Sequence, residues 1–452
     1  MRSINPATGE TIREYPEPAP DDVERRLAIA ASAFAAWRQT TVDDRARLMR
    51  AAGNALQAER ERLARLMTTE MGKTIAAAEA EVTKCALACD YFAQHAARLL
   101  ASEPTPSDAR RSYLRFDPLG AILAVMPWNF PLWQVFRAAV PAIMAGNVMV
   151  LKHASNVPGS ALAIEALFGI AGFPPGVFTT LLLPPARAEL LVDHPVIRGV
   201  TLTGSEEAGR RLAARAGAAL KKTVLELGGS DPFIVLADAD PEAVVAQAVA
   251  ARVQNNGQSC IAAKRFLVEA PIAERFERAF ADRMSALKVG DPLDRTTDVG
   301  PLARDDLRDT LDRQVKDSLA AGARLLAGGA RLPGLGFFYA PTVLADTGPG
   351  VVAFDEETFG PLAAVTRVRD AAHAVAVANT SRFGLGASVW TGTPERGEAL
   401  AEALEAGLVF VNGIVKSDPR LPFGGVKASG YGRELAAAGI REFTNLKTVW
   451  VA

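Results

Sequence analysis

The feature that most constrains the fold of this chain is an alternation of short β-rich runs with helical patterns, which begins near residue 111. Such an alternation is typical of a parallel sheet, because each crossover helix returns the chain along one face of the sheet. The chain has 452 residues, which is too many for one simple hydrophobic core. We therefore predict an α/β fold with two doubly wound domains. The predicted strands span 120–126, 147–151, 177–182, 199–202, 223–226, 232–236, 265–268, 362–367, 387–391 and 407–412.

The N-terminal part of the chain has a different pattern, typical of surface-packed helices. Residues 21–100 are rich in Ala, Leu, Arg and Glu, with apolar side chains at helical spacing. Cys85 and Cys89 lie four positions apart in this region, so they share one helix face. A metal or redox pair would need further His or Cys ligands, so we predict that both cysteines are buried packing residues. Further helices are predicted at 272–287, 304–321 and 371–380.

Charge and cysteine content exclude several classes of function. The 50 basic and 51 acidic residues leave a net charge of −1, so no summed field attracts nucleic acid or an anionic membrane. The most apolar stretch, 119–151, is interrupted by prolines, asparagines and an arginine, whereas a membrane span needs about 20 apolar residues. The scarcity of cysteines and the lack of a secretory signal pattern predict a cytoplasmic protein.

The usual nucleotide-binding motifs are absent, and another segment offers a weaker signal. A Gly-x-Gly-x-x-Gly fingerprint and a phosphate loop are both absent, which argues against a kinase-like function. The run 200–205 instead leads from a predicted strand into a helix, where the amides of Gly204 and Ser205 are suited to a pyrophosphate. On its own this segment is also explained as a simple turn.

Cys260 and Glu226 carry groups suited to covalent catalysis. Cys260 ends the polar run 255–260, unlike the apolar surroundings of a structural cysteine, although a packing role stays open. A thiolate adds readily to a carbonyl carbon, and its sulfur later leaves easily. Glu226 ends a predicted strand beside two glycines, where a carboxylate is usually solvated or caps a helix. Desolvation would instead raise its pKa towards that of a general base.

Asn129 lies among the prolines and aromatic residues of 127–131, which fix its position. Its amide is a donor that needs no change of protonation, as stabilisation of an oxyanion requires. Taken singly, Asn129, Cys260 and Glu226 each also have a purely structural explanation.

Seven motifs together, in register from about residue 5 to the C-terminus, resemble the aldehyde dehydrogenase superfamily. This resemblance implies a cofactor domain of residues 1–110 and 121–227 and a catalytic domain of 228–430. It further implies a small β oligomerisation flap of 111–120 and 431–452, and hence a homodimer or homotetramer. The motifs are 127–131, 151–152, 203–205, 226–229, 257–260, 356–361 and 422–427.

The resemblance also implies the roles of the catalytic residues. Cys260 is the expected nucleophile, and Glu226 is the expected general base that activates water. The Asn129 amide and the backbone N–H of Cys260 form the expected oxyanion hole, and Lys152 belongs to the same catalytic set. A non-catalytic binding protein is disfavoured because these four residues are intact.

The expected cofactor is a nicotinamide dinucleotide, with NADP preferred and NAD possible. Relatives place a lysine and, three positions later, a residue that meets the adenosine ribose, and here these are Lys152 and Ser155. A glutamate at the second position would repel a 2'-phosphate, whereas serine donates to it and lysine pairs with it. The other expected cofactor contacts are Trp128, Asn129, Gly204, Ser205, Leu227, Glu357 and Phe359.

Two segments, 152–158 and 417–422, resemble bacterial succinate-semialdehyde dehydrogenases. Arg137 and Ser417 then become the expected anchors of the distal carboxylate, although a structural ion pair is the alternative for Arg137. A second arginine of some relatives is Gln254 here, which weakens selectivity for acids.

The predicted function is oxidation of succinate semialdehyde to succinate through a cysteine thioester. The alternative is a broad-specificity aliphatic or aromatic aldehyde dehydrogenase. No metal is predicted, because the histidines are scattered, and no disulfide control is expected, because no second thiol lies near Cys260.

Overall fold

The computed structural model describes residues 1–452. The helices are α1 Pro20–Trp37, α2 Val42–Ala58, α3 Arg60–Met71, α4 Ile75–Leu99, α5 Trp133–Met144, α6 Pro158–Ile170, α7 Pro185–Leu190, α8 Glu206–Ala218, α9 Pro241–Val253, α10 Ala270–Ser285, α11 Asp305–Ala320, α12 Val352–Asp355, α13 Ala371–Asn379, α14 Pro394–Ala403 and α15 Ala436–Glu442. The strands are β1 Arg2–Ile4, β2 Thr11–Glu14, β3 Glu103–Pro104, β4 Arg111–Pro118, β5 Ala121–Met126, β6 Val148–His153, β7 Phe178–Thr180, β8 Ile197–Thr203, β9 Lys222–Glu226, β10 Asp231–Val235, β11 Ala263–Glu269, β12 Arg324–Ala327, β13 Thr342–Ala345, β14 Leu362–Val368, β15 Phe383–Gly384, β16 Gly386–Trp390, β17 Leu408–Val411, β18 Val426–Lys427, β19 Gly430–Tyr431 and β20 Thr444–Val451.

The first sheet has the strand order β19-β9-β8-β5-β6-β7 and is parallel except for β19. Its central strands β5 and β6 are almost entirely buried, as expected of a parallel sheet covered on both faces. The N-terminal helices pack into the same hydrophobic core, which includes Cys85 and Cys89 at 0% exposure. The predicted packing role of these two cysteines is therefore confirmed.

The second sheet has the order β12-β13-β14-β11-β10-β16-β17 and is parallel except for β12. Two separate apolar clusters contain its core residues, one around Phe266 and one around Leu267. Neighbouring residues of a strand point to opposite faces, so the sheet is covered on both sides. The prediction of two doubly wound α/β units is confirmed, and all of the predicted strands are present.

A third, antiparallel sheet of β20, β4 and β3 stands apart from the two parallel sheets. β20 pairs with β4 along its whole length, from Thr444 opposite Pro118 to Val451 opposite Arg111. The C-terminal part of this flap is shorter than the predicted 431–452. Because Ile440 and Phe443 are buried in the core of the first unit, the segment that carries α15 belongs there.

Two strands of the second sheet escaped the sequence analysis. β12 and β13 flank the glycine-rich region 328–336, and β12 is a largely exposed edge strand of four residues. A short edge strand lacks the alternation of apolar and polar residues that makes strands recognisable. No helix in the structure has both the length and the apolar character needed to cross a membrane.

Candidate active site

The candidate site lies where the strand order of the first sheet reverses. β5 and β8 are neighbours, yet the chain continues outward through β6 and β7 on one side and through β9 on the other. Ligands of doubly wound sheets bind beside the carboxyl ends of the strands at such a point. A cavity of about 250 Å³ opens there and brings Asn129, Gly204, Ser205 and Glu357 together with Cys260.

The loop that carries Cys260 has an unusual backbone. Asn255, Asn256 and Gly257 all adopt left-handed conformations, with φ of 55°, 59° and 76°. Asn and Gly are the residues that tolerate this region best. At Gly257 a Cβ atom would lie 2.3 Å from the carbonyl oxygen of Gly360, so only glycine fits. The polar, glycine-containing composition around Cys260 is therefore a requirement of the turn that leads from α9 to the thiol.

Two buried cations hold this loop in place, and neither was identified from the sequence. Lys264 donates hydrogen bonds to three backbone carbonyls of the loop, and its bond to the carbonyl of Cys260 measures 2.9 Å. Arg252 donates to the carbonyl of Gly257 at 2.7 Å. Both side chains are fully buried. The one available signal was the presence of basic residues in the otherwise apolar strand β11 and at the end of α9.

Asn129 lies beside the same loop and is 3% exposed. Its Nδ2 donates one hydrogen bond to the backbone carbonyl of Gln258 at 3.0 Å. Its backbone carbonyl accepts one from the side-chain amide of Asn255 at 2.7 Å. These bonds use one of the two amide hydrogens of Asn129. The backbone N–H of Cys260 makes no backbone hydrogen bond. The site therefore retains two free donors near the sulfur, as an oxyanion hole requires.

Glu226 ends β9 immediately before Leu227, which lines the cavity. Its carboxylate is 2% exposed, and neither oxygen has a hydrogen-bond partner in the protein. Burial raises the pKa of Glu226 to about 8, an effect that Arg137 opposes and Glu434 reinforces. A carboxyl group without partners and with a pKa near neutrality is suited to accept a proton from water.

Desolvation favours the protonated form of the Cys260 thiol. Burial raises the pKa of Cys260 to about 12, while the positive charges of Arg137 and Lys264 act in the opposite direction. The thiolate is the reactive form of cysteine. Attack by Cys260 therefore requires that its proton be removed as substrate and cofactor fill the site.

A second cavity, of about 660 Å³, contains Lys152 and Ser155. Lys152 is 6% exposed and its side chain makes no hydrogen bond within the protein, and desolvation lowers the pKa of its ammonium group. A buried ammonium without a partner is a site for an anion. Arg304 lines this second cavity, and Trp128 lines the first. The Arg304 guanidinium lies over the Trp128 ring, 5.8 Å from its centre, so the two cavities adjoin.

The remaining predicted cofactor residues cluster at the first cavity. Glu357 accepts a hydrogen bond from the backbone N–H of Gly229 at 3.0 Å. The rings of Phe359 and Trp128 meet edge to face at 5.6 Å. Ser205 caps the N-terminus of α8 by accepting from Ala208, which leaves a positive helix end beside the cavity. The Lys152 ammonium of the second cavity and the helix end of the first fit the phosphates of a dinucleotide that lies across both cavities.

Arg137 lies on α5 at 1% exposure and forms a buried ion pair with Glu434. Its guanidinium also lies over the ring of Phe423 at 4.3 Å and donates to Thr203 at 3.3 Å. A carboxylate of the protein thus already balances the charge of Arg137, and the role of Arg137 as an anchor of the substrate carboxylate stays a prediction. The ion-pair alternative describes what is observed.

Ser417 is 6% exposed and accepts two hydrogen bonds. One comes from Lys84 at 2.7 Å and the other from the indole N–H of Trp133 at 2.9 Å. Gln254, at the position of the missing arginine, donates weakly to backbone carbonyls at 3.3 and 3.4 Å. Lys84 is thus a further basic residue of this region that the sequence analysis did not single out.

Comparison with known proteins agrees with this geometry. The model of the aldehyde dehydrogenase family matches residues 1–449. The chain is 52% identical over 455 residues to a succinate-semialdehyde dehydrogenase [NADP(+)] of Mycobacterium tuberculosis, covering 100% of both chains. It is 51% identical to a probable enzyme of the same name from Synechocystis, again with 100% of both chains covered. The crystal structure of succinic semialdehyde dehydrogenase from Streptococcus pyogenes in complex with NADP+ matches with a TM-score of 0.97 at 36% identity, covering 100% of this chain and 99% of that one.

Proposed function

The chain belongs to the aldehyde dehydrogenase family, and from that premise we propose that it oxidises succinate semialdehyde to succinate through a thioester on Cys260. The observation that carries the proposal is the meeting of Cys260, Asn129 and most of the predicted cofactor residues in one cavity. This set combines a nucleophile, an oxyanion donor and a dinucleotide site. Its order of action follows from the chemistry of each group.

The reaction begins when the Cys260 thiol gives its proton to solvent water and its sulfur adds to the aldehyde carbon. The Asn129 amide and the Cys260 backbone N–H donate to the oxyanion that this addition creates. The bound dinucleotide supplies the acceptor for the hydride that leaves the same carbon. Lys264 keeps the thioester carbonyl beside its donors by fixing the backbone of the loop.

Glu226 completes the reaction by accepting a proton from water, which attacks the thioester and releases the acid. Its pKa near 8 supports this role, because a base is most effective when its pKa is close to the working pH. The carboxylate is buried and unpaired, so it needs no rearrangement of hydrogen bonds to act.

NADP is the proposed cofactor, with NAD also accepted. The unpaired ammonium of Lys152 and the hydroxyl of Ser155 share one cavity, where a 2'-phosphate would complement both. The two aspartates at this cavity are already paired, Asp305 with Arg308 and Asp306 with Arg304, so their charge is compensated. The relatives named for NADP(+) support this preference.

A cytoplasmic homo-oligomer is the proposed form of the enzyme. All three cysteines are free thiols, which suits a reducing compartment. β20 pairs with β4 on one edge only, and its Leu446 and Trp450 side chains are 57% and 53% exposed. An open apolar edge of this kind is suited to pairing with a second copy of the chain.

The broad-specificity alternative is favoured by one observation, namely that Arg137 is already paired with Glu434. Initial rates of reduced-cofactor formation separate the two functions when succinate semialdehyde is compared with butyraldehyde, each with NADP and with NAD. We expect a higher kcat/KM for succinate semialdehyde and for NADP. Equal or reversed values for the two aldehydes would contradict the narrow substrate assignment, while loss of all activity in Cys260→Ala tests the nucleophile independently.

A further inference from the structure

Residues 129–133 lead from the oxyanion donor Asn129 into α5, and side chains from other parts of the fold hold the backbone of this segment. The side-chain amide of Asn255 donates to the backbone carbonyl of Asn129 at 2.7 Å. At the next support, Nε2 of His153 lies 2.8 Å from the backbone carbonyl of Pro131. His153 is the last residue of β6, so this contact joins the segment to the strand that carries Lys152.

The third support is Glu81 of α4. Its Oε1 accepts hydrogen bonds from the backbone N–H groups of Leu132 and Trp133 at 2.8 and 2.9 Å. Its other oxygen pairs with the buried ammonium of Lys73, which lies over the ring of Phe130, 4.2 Å from its centre. The N-cap residue of α5 supplies no cap from its own side chain, so Glu81 satisfies the first N–H groups of this helix.

The contacts of the His153 ring fix its tautomer. A carbonyl oxygen can only accept, so the Nε2 atom beside Pro131 carries the ring hydrogen and donates it. Nδ1 is then an acceptor, and the backbone N–H of Ala154 donates to it at 2.9 Å, while the carbonyl of Met126 lies farther away at 3.3 Å. His153 is buried, and this burial lowers its pKa to about 4, so the ring is neutral at neutral pH.

The carbonyl of Pro131 depends on His153 for its hydrogen bond. The neighbouring carbonyls of Phe130 and Leu132 accept from backbone N–H groups of α5, whereas no backbone N–H donates to that of Pro131. Pro131 is itself buried. Loss of the His153 donor would leave a buried carbonyl without a partner, which is costly enough to move the segment two residues after Asn129.

We propose that His153 is a positioning residue of the oxyanion hole, which holds Asn129 beside Cys260 through its hydrogen bond to the carbonyl of Pro131. The inference rests on the proposed function, because it takes Asn129 as a donor to the oxyanion. His153 lines neither of the two cavities, so it acts through the backbone and not by contact with the substrate. It directly follows Lys152, so the strand end that meets the cofactor also fixes the oxyanion donor.

The test measures hydride transfer alone, as the rate of reduced-cofactor formation in a single turnover with enzyme and NADP in excess over succinate semialdehyde. His153→Asn keeps an acceptor for the N–H of Ala154 but is too short to reach Pro131, and it should lower this rate about 10- to 100-fold. His153→Gln places an amide N–H near the position of Nε2 and should restore the rate to within about threefold of wild type. The Kd for NADP, measured by quenching of tryptophan fluorescence, should be unchanged in both variants, which also shows that they are folded.

A double-variant cycle with Asn129→Ala identifies the path of the effect. If His153 acts through Asn129, His153→Asn should cost much less in the Asn129→Ala enzyme than in the wild type. His194→Asn is the matched control, because His194 pairs with Glu24 and lines neither cavity. It should keep the wild-type rate.

Several outcomes would overturn the role of His153 alone. They are a wild-type rate in His153→Asn, an equal loss in His153→Gln or in the control, and an undiminished loss when His153→Asn is combined with Asn129→Ala. An Asn129→Ala enzyme with the wild-type rate would instead overturn the oxyanion assignment in the proposed function, and the role of His153 with it.

Discussion

Replacement of Glu226 by glutamine tests the base assignment through the pH dependence of turnover. With a pKa of about 8, roughly one tenth of Glu226 is ionised at pH 7 and about half at pH 8. If hydrolysis of the thioester limits turnover, the wild-type kcat should rise about fivefold over this interval and by no more than about twofold above it. Glu226→Gln should lose this rise and should lower kcat by about 100-fold or more.

Stopped-flow measurement of reduced-cofactor formation separates the two half-reactions. The variant should keep a burst of one equivalent per active site, because attack by Cys260 precedes the step that needs Glu226. A slow steady phase should follow the burst. A variant that turns over at the wild-type rate, or one that loses the burst together with the steady phase, would refute the reasoning.

The same substitution has a predicted effect on stability. Burial raises the folded-state pKa of Glu226 above its value in the unfolded chain, so the folded state holds the proton more tightly. This stabilisation is complete below about pH 4.5 and is lost as the pH rises towards 8, at up to about 1.4 kcal/mol per pH unit. Glu226→Gln should therefore gain stability relative to wild type as the pH rises, and urea unfolding at pH 6 and 8 checks the sign.

Three further substitutions test the supports of the site. Lys264→Met removes the donor to three loop carbonyls and should lower kcat/KM about 10- to 100-fold. Wild-type kinetics in this variant would mean that the lysine only fills space. Ser155→Glu should raise the KM for NADP about tenfold without raising that for NAD, and equal changes for both cofactors would count against the proposed 2'-phosphate contact. Gly257→Ala introduces a Cβ 2.3 Å from the Gly360 carbonyl oxygen at a φ of +76°. The free energy of unfolding should therefore fall by at least about 2 kcal/mol. An unchanged midpoint of urea unfolding would contradict the steric argument.

The parts of the fold that the sequence predicts are those with strong periodicity. The central strands β5 and β6 are buried on both faces, and each contains a continuous apolar run. β12 is an exposed edge strand and carries no such pattern. Local sequence therefore identifies the core of each sheet better than its edges.

The candidate site divides along a similar line. Residues in short motifs, such as Cys260 and Asn129, are recognisable because their chemistry and their local backbone constraints coincide. The pairing of Arg137 with Glu434 joins residues that are far apart in the chain, and only the fold brings them together. Lys84 and Ser417 are separated still further in the chain, so their hydrogen bond likewise becomes visible only in three dimensions.

Direct detection of the acyl-enzyme tests the central claim, which is covalent catalysis by Cys260. Glu226→Gln is mixed with succinate semialdehyde and NADP, quenched in acid and digested, and the peptide that contains Cys260 is weighed by mass spectrometry. We predict a succinyl group on Cys260 that is absent without cofactor and absent in the double variant Cys260→Ala, Glu226→Gln. Formation of reduced cofactor without any acyl group on Cys260 would contradict the account.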